Sequence, residues 1–289
     1  MILRVRHVTS YAYGHPVEMA THMLCLTPRD LPAQRVLSTG LTSTPEAARV
    51  TTGQDHFGNH VTWLFLDSPH ERFEVVTEAV VDVRFPPPPP AGSTLPWEAV
   101  AALAPRDPEA AEFTFPSPMV RVGDAARDFA AASFPAGRPL LEGLLDLNSR
   151  FRKEFRFRSG VTGIATPVDE VLRRREGVCQ DFSHVMIAGL RALGLPARYT
   201  SGYIRTYPPP GQPRRVGADM SHAWVGAWLG PELGWLDLDP TNDILLSEEH
   251  VLLGWGRDFG DVSPLRGIIL GGGRHKLEVG VDLAPVGED

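Results

Sequence analysis

The clearest chemistry in this sequence centres on one cysteine that precedes an apolar run. Cys179 begins the segment 179–193, whose apolar residues return at helical spacing before Gly194-Leu195-Pro196 ends the pattern. The N-terminus of a helix carries partial positive charge and unpaired N–H groups, which favour a thiolate and can hold an oxyanion. Cys179 is therefore a candidate nucleophile. The alternative is that it only packs in the interior, as cysteines often do.

A histidine and an aspartate on two neighbouring strands could complete a nucleophilic site. A cysteine nucleophile needs a base within hydrogen-bond reach and a third group that orients this base. His222 lies near one end of the predicted strand 221–229, and the segment 234–239 follows after a short connection that favours antiparallel pairing. A turn centred near residues 230–231 places His222 opposite Asp239. Asp237 has the same parity and remains the alternative, since a register shift of two residues would exchange them.

The same residues also have structural and metal-binding interpretations. Asp239 begins an Asp-Pro-Thr-Asn sequence typical of a turn, and His222 is then an exposed strand residue. Together with His184, the three candidates could form a zinc site, but closely spaced ligand pairs such as C-x-x-C are missing. We therefore expect no metal and no cofactor, and a packed structural role for His184.

The elements around these residues indicate an α+β protein in two regions. Turn residues separate several segments rich in Val, Thr, Phe and Leu, which predict an N-terminal β-sandwich. These strands are predicted at 2–13, 17–26, 35–44, 60–67 and 72–85. Five consecutive prolines, Pro86 to Pro90, then favour an extended linker. The predicted division is a sandwich at 1–85, a Pro-rich linker at 86–96 and a catalytic region at 97–289.

In the catalytic region the helices precede the strands. Helices are predicted at 97–104, 119–133, 138–153, 167–175 and 179–193, and strands at 197–206, 221–229, 234–239 and 275–284. This order is typical of an α+β domain with an antiparallel sheet, not of the alternating β and α elements of a parallel sheet. Because a proline-rich link is stiff, we expect the sandwich to dock on the catalytic region and narrow access to Cys179.

Composition limits the classes of function. The 289 residues carry a formal charge of −7 without a basic cluster, so nucleic acid is not an expected partner. The sequence has no apolar run of membrane-spanning length and no signal-peptide pattern, so we expect no membrane partner and a cytoplasmic protein. Two cysteines are too few for a disulfide scaffold. Cys25 lies in a strand-like segment and is expected to be a buried thiol.

Three motifs resemble those of the transglutaminase-like superfamily, a branch of the papain-like cysteine enzymes. They are GVCQDFSHVMIAGLRALGLPARYTSGY, SHAWVGAW and GWLDLDPTND. The tail HVLLGWGRDFGDVSPLRGIILGGGRHKLEVGV and the β-rich N-terminal region extend the resemblance to bacterial two-domain members. It implies a papain-like catalytic core with Cys179 as nucleophile, His222 as base and Asp239 as orienting carboxylate. Where many relatives have a tyrosine after a Phe-Arg pair, this chain has Phe157.

The resemblance implies a cysteine enzyme that attacks amide bonds of peptide or protein substrates through a thioester on Cys179. Completion by water gives a protease or amidase, which is the function we expect first. Completion by an amine gives a transglutaminase, the alternative. A non-enzymatic binding scaffold is the third hypothesis, and the presence of all three triad residues counts against it.

Overall fold

The computed structural model describes residues 1–207 and 220–287. In its N-terminal part, side chains along the strands alternate between buried and exposed, as strands with one face on a core require. These strands are β1 (Ile2–Leu24), β2 (Gln34–Thr44), β3 (Arg49–Gln54), β4 (His60–Leu66) and β5 (His70–Val83). β1 joins the two segments predicted at 2–13 and 17–26, because the register shifts between Ala12 and Val17 without ending the strand. The sequence does not predict β3, whose residues are mostly exposed.

A helical layer follows a stretch at 84–90 that contains neither helix nor strand. Its helices are α1 (Trp97–Leu103), α2 (Pro108–Glu112), α3 (Asp124–Ala131), α4 (Leu140–Glu154), α5 (Val168–Arg174) and α6 (Cys179–Ala192). α3 begins later than the predicted start at 119, because Ser117 and Val120 close a turn with each other's backbone groups. Among the described residues, no helix is long and apolar enough to cross a membrane.

The strands that follow α6 complete two different sheets. Before them, β6 (Arg156–Phe157) and β7 (Glu176–Gly177) pair in parallel beside the start of α6. The later strands are β8 (Ala197–Ile204), β9 (Met220–Trp228), β10 (Trp235–Asp239), β11 (Ile244–Leu245), β12 (His250–Gly256), β13 (Leu265–Gly271) and β14 (His275–Pro285). The first five form an antiparallel sheet in the order β11-β10-β9-β8-β12, against which α6 packs. The predicted α+β class is confirmed.

β1 is the strand that holds the N-terminal sheet together. Its first half pairs with β5 and β14, and its second half pairs with β4 and β13. The 23-residue strand thus passes from one four-stranded layer, β2-β5-β1-β14, to another, β3-β4-β1-β13. Leu3, Val17 and Phe73 are fully buried in the apolar core of this region.

The pairing of β13 and β14 with β1 corrects the domain division at its C-terminal end. Residues 265–285 were assigned by sequence to the catalytic region at 97–289, yet they pair with β1 of the region at 1–85. The sequence does not predict β12 or β13, because glycines interrupt the apolar runs at Gly254, Gly267 and Gly271. The last strands follow the catalytic region in sequence, but in the fold they pair with the first strand of the chain.

Two side-chain amides join the N-terminal sheet to β12, the edge strand of the second sheet. Gln34 donates from Nε2 to the Leu252 carbonyl at 2.8 Å and accepts from the Leu252 N–H at 2.8 Å. Asn59 makes the same pair of bonds with the backbone of Trp255, at 2.8 and 2.9 Å. Each side-chain amide thus pairs with the N–H and the carbonyl of one β12 residue, as a residue of a neighbouring strand would.

Candidate active site

The start of α6 is fixed by an aspartate in the first turn of the helix. Asp181 accepts from the Val178 N–H at 2.7 Å and from the Thr162 hydroxyl at 2.7 Å. Burial raises the pKa of Asp181, and these two hydrogen bonds oppose the shift. Gly177 leaves room for the aspartate, since a Cβ at this position would lie 2.7 Å from Asp181 Oδ2. Cys179 therefore has a fixed place in the first turn of α6, where it is partly exposed.

His222 and Asp239 are hydrogen bonded in the interior of the protein. His222 Nε2 lies 2.7 Å from Asp239 Oδ2, with His222 7% exposed and Asp239 fully buried. An ionised carboxylate can only accept, so Nε2 carries the hydrogen of this bond. Asp239 thus contacts the ring as expected from the sequence.

The pairing of β9 with β10 differs from the expected register by two residues. Asp237 lies opposite Gly226 and Leu238 opposite Val225, so the partner of His222 is not Asp239 in the ladder. Asp239 reaches the imidazole diagonally, because both side chains project from the same face near the strand ends. In the observed register Asp237 lies opposite Gly226, four residues along β9 from His222. Asp237, the alternative partner of His222, is therefore too far along the strand to reach the ring.

Asp237 has a separate structural environment. Its Oδ1 accepts from the Thr200 hydroxyl at 3.1 Å and from the Trp224 indole at 3.2 Å. Its Oδ2 lies 3.7 Å from Arg198, a buried guanidinium that stacks on Trp235. Asp237 therefore supports the sheet beside the site and does not contact His222.

Asp239 also forms the turn that the sequence indicated. Its Oδ1 accepts from the N–H groups of Thr241, at 2.9 Å, and Asn242, at 3.3 Å. The Asn242 amide donates to Oδ2 at 2.6 Å. Asp239 thus both forms the turn and binds the His222 ring, with one carboxylate oxygen mainly serving each.

Hydrogen bonds stabilise the charged forms of His222 and Asp239, whereas burial disfavours them. Burial alone would lower the pKa of His222, but the bonds to Asp239 and Cys179 outweigh it and raise this pKa. Burial would raise the pKa of Asp239, but hydrogen bonds from His222 and Asn242, together with the nearby His250, hold it well below its usual range. An imidazolium paired with a carboxylate is the charge state that this environment favours.

Cys179 is a neighbour of the His222 ring. Its side chain contributes to the raised pKa of the imidazole. Because Nε2 is directed at Asp239, Nδ1 is the nitrogen that remains for the thiol. The structure thus brings the three sequence candidates together in the order cysteine, imidazole, carboxylate.

Sequence reasoning did not find two residues that support Asp239. Asn242 belongs to the predicted turn, and the tendency of an Asx turn to fold back over its first residue was the available signal. His250 is fully buried, with Nε2 3.9 Å from Asp239 Oδ2. The Ser247 N–H donates to His250 Nδ1 at 3.2 Å, so the neutral ring carries its hydrogen on Nε2, toward Asp239. His250 lies on β12, which the sequence does not predict.

The other sequence candidates lie apart from this cluster. His184 is buried in α6, accepts from the Phe259 N–H at 3.2 Å and has a pKa lowered to about 4 by burial. Cys25 is a buried free thiol. In the part of the chain that the structure describes, no group of three or more His, Cys, Asp or Glu is arranged to hold a metal ion.

Two family models match the chain. The model of the bacterial transglutaminase-like N-terminal region matches residues 3–82, and that of the transglutaminase-like superfamily matches residues 128–240. The chain belongs to the transglutaminase-like superfamily. The core match covers Cys179, His222 and Asp239, and the N-terminal match covers the first five strands except Ile2 and Val83.

Relatives match either nearly the whole chain or only part of it. The uncharacterized protein Rv2569c of Mycobacterium tuberculosis is 43% identical, over 98% of this chain and 92% of its own. The protein-glutamine gamma-glutamyltransferase of Pseudomonas aeruginosa is 34% identical over 42% of this chain and 20% of its own. A crystal structure named "Putative Cysteine Protease from Cytophaga hutchinsonii" covers 100% of this chain and 92% of its own, with 21% identity and a TM-score of 0.77. This structure shares the fold.

Proposed function

We propose that the protein is a cysteine hydrolase that cleaves amide bonds of peptide-like substrates through a thioester on Cys179. The observation that carries this proposal is the place of His222, which contacts Cys179 on one side and the Asp239 carboxylate on the other. Asp239 orients the ring and stabilises its protonated form, as the third group of such a triad does.

In the proposed cycle His222 moves one proton in each direction. The thiol proton is transferred to His222 before attack, which gives a thiolate and an imidazolium, and the sulfur then adds to the amide carbonyl carbon to form a tetrahedral oxyanion. N–H groups of the first turn of α6, which have no helical acceptor, lie where they could stabilise this oxyanion. Collapse breaks the C–N bond, and His222 gives its proton to the leaving amine. Water then attacks the thioester, again with His222 as base, and releases an acid and the free thiol.

Transfer to an amine is the second candidate. It uses the same three residues, with a primary amine in place of water, and the name of the Pseudomonas aeruginosa relative favours it. We rank hydrolysis first, because water needs no binding site of its own. A binding scaffold that does no chemistry ranks third. Two free thiols suit a reducing compartment, and we propose the cytoplasm as the site of action.

Mass spectrometry after incubation with a peptide library tests this proposal directly. With the wild type we expect peptides shortened at amide bonds or deamidated at Gln, and amine-tagged products when a primary amine is added if transfer competes. Cys179→Ser should abolish both, whereas Cys25→Ser should retain the wild-type products. Products that persist in Cys179→Ser would contradict the proposed nucleophile.

Differential alkylation tests the nucleophile without a substrate. Burial raises the pKa of Cys25 to about 12, so this thiol holds very little thiolate at neutral pH. We expect iodoacetamide at pH 7.5 to label Cys179 at least about 100-fold faster than Cys25. His222→Ala should slow labelling of Cys179, and peptide mapping gives both rates. An unchanged rate in His222→Ala would mean that the base is misassigned.

A further inference from the structure

A cavity of about 690 Å³ lies between the N-terminal sheet and the catalytic residues. Its walls come from β1 and β14 on one side, and from the loop at Ile164, the start of β9 and the segment 259–265 on the other. This volume is within the range of small-molecule and peptide-side-chain sites. Both sequence regions of the protein are therefore needed to form it.

Three wall residues connect this cavity to the triad. Ser221 directly precedes His222 in β9. The Ile164 carbonyl accepts from the side chain of Gln180, the residue after Cys179, at 3.0 Å. Phe259 packs edge-on against Tyr199, whose pKa is raised by burial and by the nearby Cys179. The cavity thus borders the residues that neighbour both the nucleophile and the base.

The walls are largely apolar, and their titratable residues are His7, Tyr11 and His275. None of the described residues that line the cavity is Asp, Glu, Lys or Arg. Ile164, Leu277 and Val279 on its walls are 65%, 49% and 51% exposed, so their apolar surface is open to a ligand. On the polar side, His7 is held by Tyr203 and Thr9 at 2.9 Å each. Burial lowers the pKa of His7 to about 4, so its ring is neutral at pH 7.

We infer that this cavity binds a neutral, apolar segment of the substrate on the acyl side of the amide that Cys179 attacks. The inference rests on the proposed function. The acyl part stays bonded to sulfur until the thioester is resolved, whereas the amine leaves, so a formed cavity beside the triad serves the part that must remain. The largely apolar walls, which have no Asp, Glu, Lys or Arg, select apolar residues there, because a charged side chain would lose hydration without gaining an oppositely charged partner of these types.

Two peptidyl chloromethyl ketones test this selectivity, acetyl-Leu-Leu-Ala and acetyl-Ser-Ser-Ala, which differ only in the two outer side chains. Mass spectrometry measures how fast each alkylates Cys179 of the full chain. We expect the leucine reagent to react at least about 10-fold faster with the wild type. Leu277→Asp should reduce this ratio to about 2 or less, and Leu277→Ser gives the same comparison if the aspartate variant does not fold.

Ile268→Asp is the matched control, since Ile268 is an 83% exposed residue of β13 that does not line the cavity. It should keep the wild-type ratio. Equal rates for the two ketones with the wild type, or equal effects of Leu277→Asp and Ile268→Asp, would overturn the inference while leaving the nucleophile intact. If iodoacetamide does not prefer Cys179 over Cys25, the proposed function itself fails and the inference fails with it.

Discussion

At the scale of single residues, Asp239 combines two tasks that the sequence presented as alternatives. One oxygen closes the turn at Thr241, and the other binds His222. Because Asp239 binds both the backbone of the turn and the His222 ring, the position of the imidazole depends on the conformation of this turn. The carboxylate is fully buried, so its charge is offset only by the groups that touch it.

The pH dependence of stability should report the His222–Asp239 pair. The pKa of His222 is raised from 6.5 to about 10, so the pair contributes its full stability below pH 6.5 and loses it as pH rises through about 10. The lowered pKa of Asp239 means that stability also falls when acid protonates this carboxylate, below pH 3.8. The wild type should lose free energy of unfolding between pH 7 and 10.5. In Asp239→Asn we expect this loss to be smaller, by on the order of a few kcal/mol.

Urea unfolding at a series of pH values measures this difference. Asp128→Asn is the control, because Asp128 is an exposed residue of α3. It should follow the wild-type curve. Parallel curves for all three proteins would show that the pair contributes nothing to stability over this range.

At the scale of elements, the turn between β7 and α6 depends on the absence of a side chain at Gly177. A Cβ there would lie 2.7 Å from Asp181 Oδ2 and 2.8 Å from Asp181 Cβ. The aspartate would have to move and would lose its bond to the Val178 N–H. The first turn of α6, and Cys179 with it, would then be less well fixed.

We therefore expect Gly177→Ala to destabilise the protein by about 1–3 kcal/mol and to slow iodoacetamide labelling of Cys179. Gly163→Ala is the matched control, since nothing lies within 4 Å of a Cβ at Gly163 and its backbone does not require glycine. Urea unfolding and peptide mapping measure the two effects. A Gly177→Ala protein as stable and as reactive as Gly163→Ala would contradict this role.

Elements with strong local patterns were predictable from sequence, and those defined by distant partners were not. The apolar spacing of α6 and the stop at Gly194 gave its bounds within one residue. β3 and β13 carry little buried apolar alternation, and they are strands because β4 and β1 pair with them. In the site, residue types and strand parity indicated the triad candidates. The exact register of β9 and β10, and the contribution of His250, depend on sheet twist and on β12, which no local pattern reveals.

At the scale of the whole molecule, the N-terminal sheet and the sheet that carries His222 and Asp239 are joined by side-chain hydrogen bonds. The strands β13 and β14 complete the N-terminal sheet, so a fragment of residues 97–289 would leave them without β1. Point substitutions at the contact between the sheets are therefore the better test of their coupling. Gln34 and Asn59 form this contact by pairing with the edge of β12.

Gln34→Ala should lower the free energy of unfolding by about 1–3 kcal/mol, because it leaves the Leu252 N–H buried without a partner and the Leu252 carbonyl with only the bond from the Arg29 N–H at 3.4 Å. Gln54→Ala, on the exposed strand β3, should change it little. Thermal and urea unfolding of both variants provide the comparison. A similar small effect of the two substitutions would mean that water replaces the Gln34 amide at no cost.

Because β1 pairs with strands from both ends of the chain, the N-terminal sheet cannot be completed until synthesis is almost finished. β1 gains β4 and β5 early, but β13 and β14, which pair with its other edge, are synthesised only after all the helices. At typical translation rates, roughly 10–40 s separate the end of β5 from the end of β14. During that interval one side of β1 has no strand to pair with, so the nascent chain has an open edge that favours mispairing with other chains. We therefore expect the yield of folded protein to depend on chaperones that bind nascent chains more strongly than its final stability would suggest.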